Sequence, residues 1–166
     1  ADRSGRSFPP LSTHLDPRAA PVQEAQAAEL IAVADASPYR QILLGDFNSP
    51  ADGTGTDTYG DVLAAGFADS WIEKGAGDGF TSHQASDLLN PASLLDERID
   101  FVFHRGGFRT LDVDVVGEEL ADRTASGLWP SDHAGVLATL RLVPVPGSSI
   151  LLLFGCAALC AVRLRR

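Results

Sequence analysis

The sequence predicts a mixed α/β (α+β) fold, and three observations support that class. Apolar residues recur at helical spacing over residues 21–35, which predicts a helix. An uninterrupted apolar run within residues 39–45 predicts a buried strand. Later segments at 98–103, 113–116 and 134–142 have the pattern of further strands. Helix and strand candidates therefore occur together in one chain.

Composition restricts the classes of protein that fit. A chain of 166 residues with 45% hydrophobic residues can form one domain with a substantial core. The net charge of −9 argues against binding nucleic acid by bulk electrostatics, and action on phosphates would require a divalent cation. Both cysteines, Cys156 and Cys160, lie in an apolar tail, so the rest of the chain has no disulfide framework or thiolate metal site. The chain begins at Ala1 and contains no methionine, so we expect a missing N-terminal portion.

The predicted elements follow in chain order. The first twelve residues, ADRSGRSFPPLS, are polar and rich in proline and glycine, and predict a loop. The helix has Pro21 in its first turn, where proline is favoured. Its apolar face comprises Ala27, Leu30, Ile31 and Ala34. After the strand at 39–45 we expect a loop, a short helix at 61–67 and a mostly irregular segment at 72–97.

The last segment, VPVPGSSILLLFGCAALCAVRLRR, differs in kind from the rest. Residues 147–162 are sixteen uncharged, mostly apolar residues, and arginines follow them. As a helix this run would be roughly 24 Å long, against a bilayer core of about 30 Å. A buried C-terminal helix is the alternative. The lack of a polar face and the terminal arginines favour a membrane anchor with the arginines on the cytoplasmic side.

The strand at 39–45 leads into the sequence GDFN. Asp46 and Asn48 are two residues apart, so on an extended backbone their side chains point to the same side. At the carboxyl end of a buried strand that side usually opens onto a crevice. An Asx turn that caps the strand is the structural alternative.

Three further segments carry four chemically competent side chains. Asp132 and His133 directly precede a strand candidate, although a surface turn explains that pair equally well. Asp100 lies inside the apolar strand RIDFVF, and a buried carboxylate needs a partner such as histidine. His14 lies in THLDP near the start. Acids, an amide and histidines in this combination suit metal-assisted phosphoester hydrolysis, with a hard cation such as Mg²⁺ held by oxygen ligands.

The remaining charged residues are interpreted more simply. His83 and His104 occur in loop contexts, and we expect both on the surface. The acids Asp96, Glu97 and the pair Glu118 and Glu119 are interpreted as solvated charge.

The ordered segments THLDP, LLGDFN, RIDFVF and SDHAGVLATL resemble the C-terminal half of the endonuclease/exonuclease/phosphatase superfamily, which includes DNase I-like nucleases, sphingomyelinases and inositol polyphosphate phosphatases. The stretch FTSHQ looks like the family's threonine-containing loop. The resemblance covers residues 13–142 and implies half of a four-layered α/β sandwich, in which two mixed sheets pack face to face between helices.

The resemblance implies a role for each candidate residue. Asp46 resembles the carboxylate that orients or deprotonates the attacking water, and it also stands near the metal. Asn48 resembles the amide that binds the scissile phosphate. His133 resembles the histidine at the phosphate, and Asp100 resembles its orienting carboxylate.

Two more roles follow from the same resemblance. Asp132 resembles a metal-associated acid, and His14 a second histidine that donates to a phosphate oxygen. The implied cofactor is Mg²⁺, with Mn²⁺ or Ca²⁺ as alternatives. In the family an asparagine and the principal metal-binding glutamate come from the first half of the domain, and nothing before Thr13 matches them.

The tail resembles a PEP-CTERM sorting signal of Gram-negative bacteria, which an exosortase recognises. Here VPVP stands where the commonest form has VPEP, so a plain membrane anchor remains an alternative. The expected organisation is a truncated loop at 1–12, the catalytic domain at 13–143 and the sorting signal or transmembrane anchor at 144–166. The location implied is the cell envelope or the outside of the cell.

The function predicted is hydrolysis of a phosphodiester or phosphomonoester by a surface-targeted, metal-dependent enzyme. The substrate class stays open between a small molecule, a lipid head group and nucleic acid. Two alternatives remain: a non-catalytic surface or matrix binding protein that keeps the fold, and an inactive fragment of an active enzyme.

Overall fold

A computed structural model describes residues 10–143. The elements in chain order are β1 (Leu11–His14), α1 (Ala20–Ala36), β2 (Gln41–Asp46), α2 (Thr58–Ala64), β3 (Ala68–Asp69), α3 (Ser70–Lys74), β4 (Asp100–Arg105), β5 (Phe108–Val116), a short 3-10 helix (Leu120–Asp122) and β6 (Gly135–Leu142). The mixed α/β class predicted from the sequence is confirmed in these residues.

The strands form two sheets. The larger sheet has the order β1-β2-β4-β3, with β1 parallel to β2 and the other pairs antiparallel. The smaller sheet is the antiparallel pair β5 and β6, with an irregularity in β5 between Thr110 and Asp112. Because β4 runs opposite to β2, the start of β4 lies beside the ends of β1 and β2.

The core lies between the larger sheet and helices α1 and α2. Phe47 and Phe103 are fully buried, and their rings meet edge to face at 5.2 Å. Phe101 stacks on Phe103 at 4.8 Å, and Tyr59 of α2 covers both. Aromatic pairs of this kind are worth about 0.5–1.5 kcal/mol beyond the area they bury. They hold the backbone next to the residue pair Asp46 and Asp100, because Phe47 and Phe101 directly follow these two acids.

Gly45 allows β1 to pair closely with β2. Its φ is +134°, which L side chains rarely adopt, and a Cβ at this position would lie 1.9 Å from the carbonyl oxygen of Thr13. The pairing register places Thr13 directly opposite Gly45. The glycine before Asp46 is therefore a packing requirement of the strand pair.

A buried ion pair fixes the chain before β4. Arg98 and Asp69 are almost fully buried and meet at 2.6 Å, and the hydroxyl of Tyr59 donates to Asp69 at 2.9 Å. The Arg98 guanidinium also lies over the ring of Phe101 at 5.0 Å. Because each charge is paired and hydrogen-bonded, the pair is tolerated in the interior.

Several predicted elements occur with shifted bounds. The helix expected at 21–35 spans Ala20–Ala36, and the strand expected at 39–45 spans Gln41–Asp46, so it includes the aspartate. The short helix begins earlier than predicted, at Thr58. The strand expected at 98–103 spans Asp100–Arg105, so Asp100 begins the strand.

Other predictions were wrong. Leu11 and Ser12, expected in a loop, belong to β1, because pairing with β2 satisfies a backbone whose own sequence carries a weak strand signal. By contrast, the segment at 72–97 is mostly irregular as expected, apart from the end of α3. His104, expected on the surface, is 3% exposed, because β4 continues past it and α3 packs against β4 and β5.

The predicted C-terminal helix, anchor and sorting signal at 144–166 lie outside the described residues. In the part that the structure describes, no helix combines the length and the apolar character that crossing a bilayer requires.

Candidate active site

Strand pairing brings three of the predicted residues into one row. His14 lies opposite Asp46 in the register of β1 and β2, and Asp46 lies opposite Asp100 in the register of β2 and β4. All three lie at the same edge of the sheet. His14 Nε2 is 3.4 Å from Asp46 Oδ2, and 69% of the His14 side chain is exposed. The histidine therefore reaches over Asp46 from the solvent side.

Asp46 and Asn48 form the Asx turn that the sequence suggested, and the turn is part of the site. The backbone N–H of Asn48 donates to Asp46 Oδ1 at 2.8 Å, while Asp46 Oδ2 faces His14. Asn48 has a φ of +49°, and its side-chain amide donates to the carbonyl of Leu15 at 2.9 Å. Buried Gln23 of α1 donates to the Asn48 carbonyl at 2.7 Å. Helix and turn thus fix the orientation of the Asp46 carboxylate.

His133 meets Asp100 across 33 residues of chain. The distance from His133 Nδ1 to Asp100 Oδ2 is 2.8 Å, and both side chains are partly exposed. The other ring nitrogen, Nε2, lies 3.3 Å from the hydroxyl of Ser82. The imidazole is held at both nitrogens.

Thr81 connects the chain segments that carry Asp100 and His133. Its hydroxyl accepts hydrogen bonds at 3.2 Å from the backbone N–H of Ile99 and of Asp100. Its carbonyl accepts from the N–H of Ala134 at 2.7 Å. Thr81 is fully buried. Its hydrogen bonds hold the start of β4 next to Ala134, the residue just before β6.

The electrostatics couple the carboxylates to the histidine. Burial raises the pKa of Asp46, and the charge of Asp100 adds to the rise, while the Asn48 N–H and the nearby histidines oppose it. Burial alone would lower the pKa of His133. The hydrogen bond and charge of Asp100, with the charge of Asp46, outweigh that effect and raise the pKa. The pair favours a charged imidazole beside a carboxylate.

Asp46, Asp100 and His133 form a compact group that contains ligands for a divalent cation. Each offers one ligand atom, and these atoms all lie within 4.8 Å of one another. The two carboxylates supply the oxygen ligands that Mg²⁺, Mn²⁺ and Ca²⁺ prefer, and the imidazole beside them is hydrogen-bonded at both nitrogens. The carboxylates can therefore bind a metal ion, while the imidazole, oriented by Asp100, can donate to a phosphate or transfer a proton.

Asp132 lies outside this three-residue group. It is exposed, and its carboxylate accepts a hydrogen bond from the Ser131 hydroxyl at 3.2 Å. Its backbone carbonyl accepts from the N–H of Gln84 at 3.0 Å. Its charge contributes to the raised pKa of His133, so it acts on the site from the rim.

Sequence reasoning missed the parts played by Thr81 and Ser82. The resemblance of FTSHQ to a threonine-containing loop is the signal that could have found them. His83 is exposed as expected and forms a 2.6 Å contact with Asp96. His104 instead bonds to Glu73 at 3.1 Å and Thr110 at 3.0 Å, away from the site.

The chain matches the model of the Endonuclease/Exonuclease/phosphatase family over residues 3–133. No curated protein matches in sequence. Among solved structures, a protein of that family from Bacteroides thetaiotaomicron is similar with a TM-score of 0.67 and 20% identity, over 86% of this chain and 53% of that one.

Two further structures share the fold. A mannosyl-6-phosphatase from Bacteroides thetaiotaomicron VPI-5482 has a TM-score of 0.61 and 20% identity, over 84% of this chain and 53% of that one. D. rerio TDP2, solved with a single-stranded DNA product, has a TM-score of 0.62 and 18% identity, over 83% of this chain and 58% of that one. The chain spans about half the length of these structures.

Proposed function

Because the chain belongs to the Endonuclease/Exonuclease/phosphatase family, we propose that the protein hydrolyses phosphoester bonds with the help of a divalent metal ion. The observation that carries the proposal is the group of Asp46, Asp100 and His133 at one edge of the sheet. This group unites carboxylates that can hold a cation with a histidine that can donate or accept a proton.

Asp46 and Asp100 would hold the ion, which is Mg²⁺ or the related Mn²⁺ or Ca²⁺, through their carboxylate oxygens. When bound, such an ion polarises a phosphoryl oxygen and offsets the negative charge of the substrate. The resemblance also implies a metal-associated part for Asp132, which we place at the rim of the site because its side chain is exposed.

The chain's own residues supply proton transfer and orientation. The Asp46 carboxylate orients a water molecule and accepts its proton, and its raised pKa suits this exchange. His133, oriented by Asp100, stabilises the charge that develops on the phosphate. His14 is exposed above Asp46 and donates to a phosphate oxygen. The amide of Asn48 donates to the phosphate with the hydrogen that Leu15 leaves unused.

The substrate is proposed as a phosphoester of a small molecule, a lipid head group or a nucleic acid. Structures with the same fold include a mannosyl-6-phosphatase and TDP2 in complex with a single-stranded DNA product. The net charge of −9 favours a small substrate, since a long polyanion would be repelled. We also propose display at the cell envelope through residues 147–162, with exosortase-type processing, on the strength of the tail sequence alone.

The test is hydrolysis by the full-length gene product. Bis-p-nitrophenyl phosphate and p-nitrophenyl phosphate are assayed with Mg²⁺ or Mn²⁺ and after treatment with EDTA. We expect turnover of at least one substrate with metal and loss of turnover in EDTA. Phosphoester binding without turnover would favour the non-catalytic surface protein, and turnover that survives EDTA would contradict the metal requirement.

A further inference from the structure

Ser82 makes a contact that the proposed chemistry has not used. Its hydroxyl lies 3.3 Å from His133 Nε2, on the opposite side of the ring from Asp100. The residue is only 3% exposed. Serine, histidine and aspartate therefore form a continuous hydrogen-bonded chain from Ser82 to Asp100.

The backbone holds Ser82 in place on two sides. It forms isolated β-bridges with Glu97 and with His133 itself. Its N–H donates to the Glu97 carbonyl at 3.1 Å, and its carbonyl accepts from the N–H of Asp96 at 3.2 Å. The adjacent Thr81 is fixed to Asp100 and Ala134. These backbone hydrogen bonds hold the Ser82 hydroxyl in a fixed position next to the His133 ring.

We propose that Ser82 is a positioning residue for His133. Asp100 binds Nδ1 and Ser82 binds Nε2. Because these hydrogen bonds lie on opposite sides of the ring, they restrict its rotation about both the Cα–Cβ and the Cβ–Cγ bond. Because Asp100 occupies Nδ1, Nε2 is the nitrogen that would bind a phosphate oxygen, which would replace the Ser82 hydroxyl when substrate binds. Ser82 would hold this atom in place before substrate binds, which is the preorganisation that catalytic groups require. This inference rests on the proposed function of His133.

Serine, histidine and aspartate could also form a catalytic triad in which the serine is the nucleophile. The burial of Ser82 argues against that role. A serine nucleophile must present its oxygen to the phosphorus in line with the leaving group. At 3% exposure, and with its backbone bridged on both sides, Ser82 has little open surface for such an approach. A phosphoserine intermediate is therefore not expected.

The experiment compares wild-type protein with Ser82→Ala, using Ser93→Ala as the matched control. Ser93 belongs to the same long loop, but its hydroxyl accepts from Gln84 and does not meet His133. With bis-p-nitrophenyl phosphate and Mn²⁺, we expect Ser82→Ala to lower kcat roughly 10- to 100-fold with KM nearly unchanged. Ser93→Ala should match wild type. A kcat for Ser82→Ala equal to that of the control would overturn the proposal.

A second measurement does not depend on turnover. In ¹⁵N NMR spectra of the histidine rings, Ser82→Ala should shift the Nε2 resonance of His133 while its Nδ1 resonance stays near the wild-type position. An unchanged Nε2 resonance, or phosphorylated Ser82 detected by mass spectrometry during turnover, would refute the positioning role. Absence of turnover in wild type would count against the proposed function, and the NMR result would still decide whether Ser82 holds the ring.

Discussion

His133 Nδ1 lies 2.8 Å from Asp100 Oδ2, so a residue just before β6 is hydrogen-bonded to the first residue of β4. This contact joins the smaller sheet to the larger one at the edge where β1 and β2 end. Asp100, an isolated acid in an apolar strand, and His133 therefore act together as a hydrogen-bonded pair.

Asp100→Asn tests the importance of that unit. The asparagine keeps the size of the side chain but removes the negative charge that raises the pKa of His133. We expect kcat for a phosphodiester to fall roughly 10²- to 10⁴-fold, the range for a lost acid–base group. Asp112→Asn, at an exposed position of β5, is the control and should retain activity. Equal activity of both variants would remove Asp100 from the mechanism.

Gly45→Ala tests the packing of β1 on β2. The new Cβ would overlap the carbonyl oxygen of Thr13, and the backbone at φ +134° disfavours any side chain. We expect the free energy of unfolding in urea to fall by about 1–3 kcal/mol or more. Gly53→Ala is the matched control, because Gly53 also has a positive φ but a Cβ added there would have no neighbouring atom within 4 Å. A loss no greater than that of the control would show that close approach to Thr13 is unimportant.

The lowered pKa of Glu73 predicts that the stability of the fold decreases at acidic pH. Burial tends to raise the pKa of Glu73, but hydrogen bonds from Thr110 and the nearby His104 outweigh it, so the folded pKa lies below the ordinary value of 4.5. A depressed carboxylate pKa stabilises the fold above about pH 4.5, and that stability is lost as the pH falls through the folded pKa.

The corresponding experiment compares Glu73→Gln with wild type by urea unfolding between pH 7 and pH 3. The stability advantage of wild type should be constant near neutral pH and should shrink below about pH 4.5. Glu24→Gln, at an exposed position of α1, provides the control. A difference between Glu73→Gln and wild type that is independent of pH would contradict the assignment.

Metal binding can be measured without catalysis. A ligand that binds only the folded state raises the melting temperature, so Mg²⁺ or Mn²⁺ should raise the Tm of wild type. Asp46→Asn removes one of the two carboxylate donors and should abolish most of that increase. Asp61→Asn, exposed on α2, should keep it. An equal increase in Asp46→Asn would place the ion elsewhere.

Much of the site is visible in the sequence because it depends on local pattern. An apolar run that ends in Asp46 and Asn48 marks the end of a buried strand, and an acid inside RIDFVF marks a carboxylate in need of a partner. The sequence leaves an Asx turn and a functional site as alternatives at Asp46. The structure contains the turn, and the turn uses only one of the two carboxylate oxygens of Asp46.

The parts that sequence reasoning missed depend on contacts between distant segments. The strand Leu11–His14 forms by pairing with β2, and its own residues give a weak signal. Ser82 and His133 are 51 residues apart, and nothing in FTSHQ indicates which histidine its serine meets. His104 is buried because α3 packs beside it, against β4 and β5. Periodicity describes one segment at a time and carries no information about such pairs.

The central claim is that His133 and its partners hydrolyse a phosphoester. The most direct measurement is the kcat for bis-p-nitrophenyl phosphate with Mn²⁺ in wild type, His133→Ala and His83→Ala. His83 is the exposed histidine that contacts Asp96, so its variant controls for loss of a histidine at the surface. We expect His83→Ala to match wild type and His133→Ala to lose turnover while keeping its Tm. Turnover retained by His133→Ala would contradict the account.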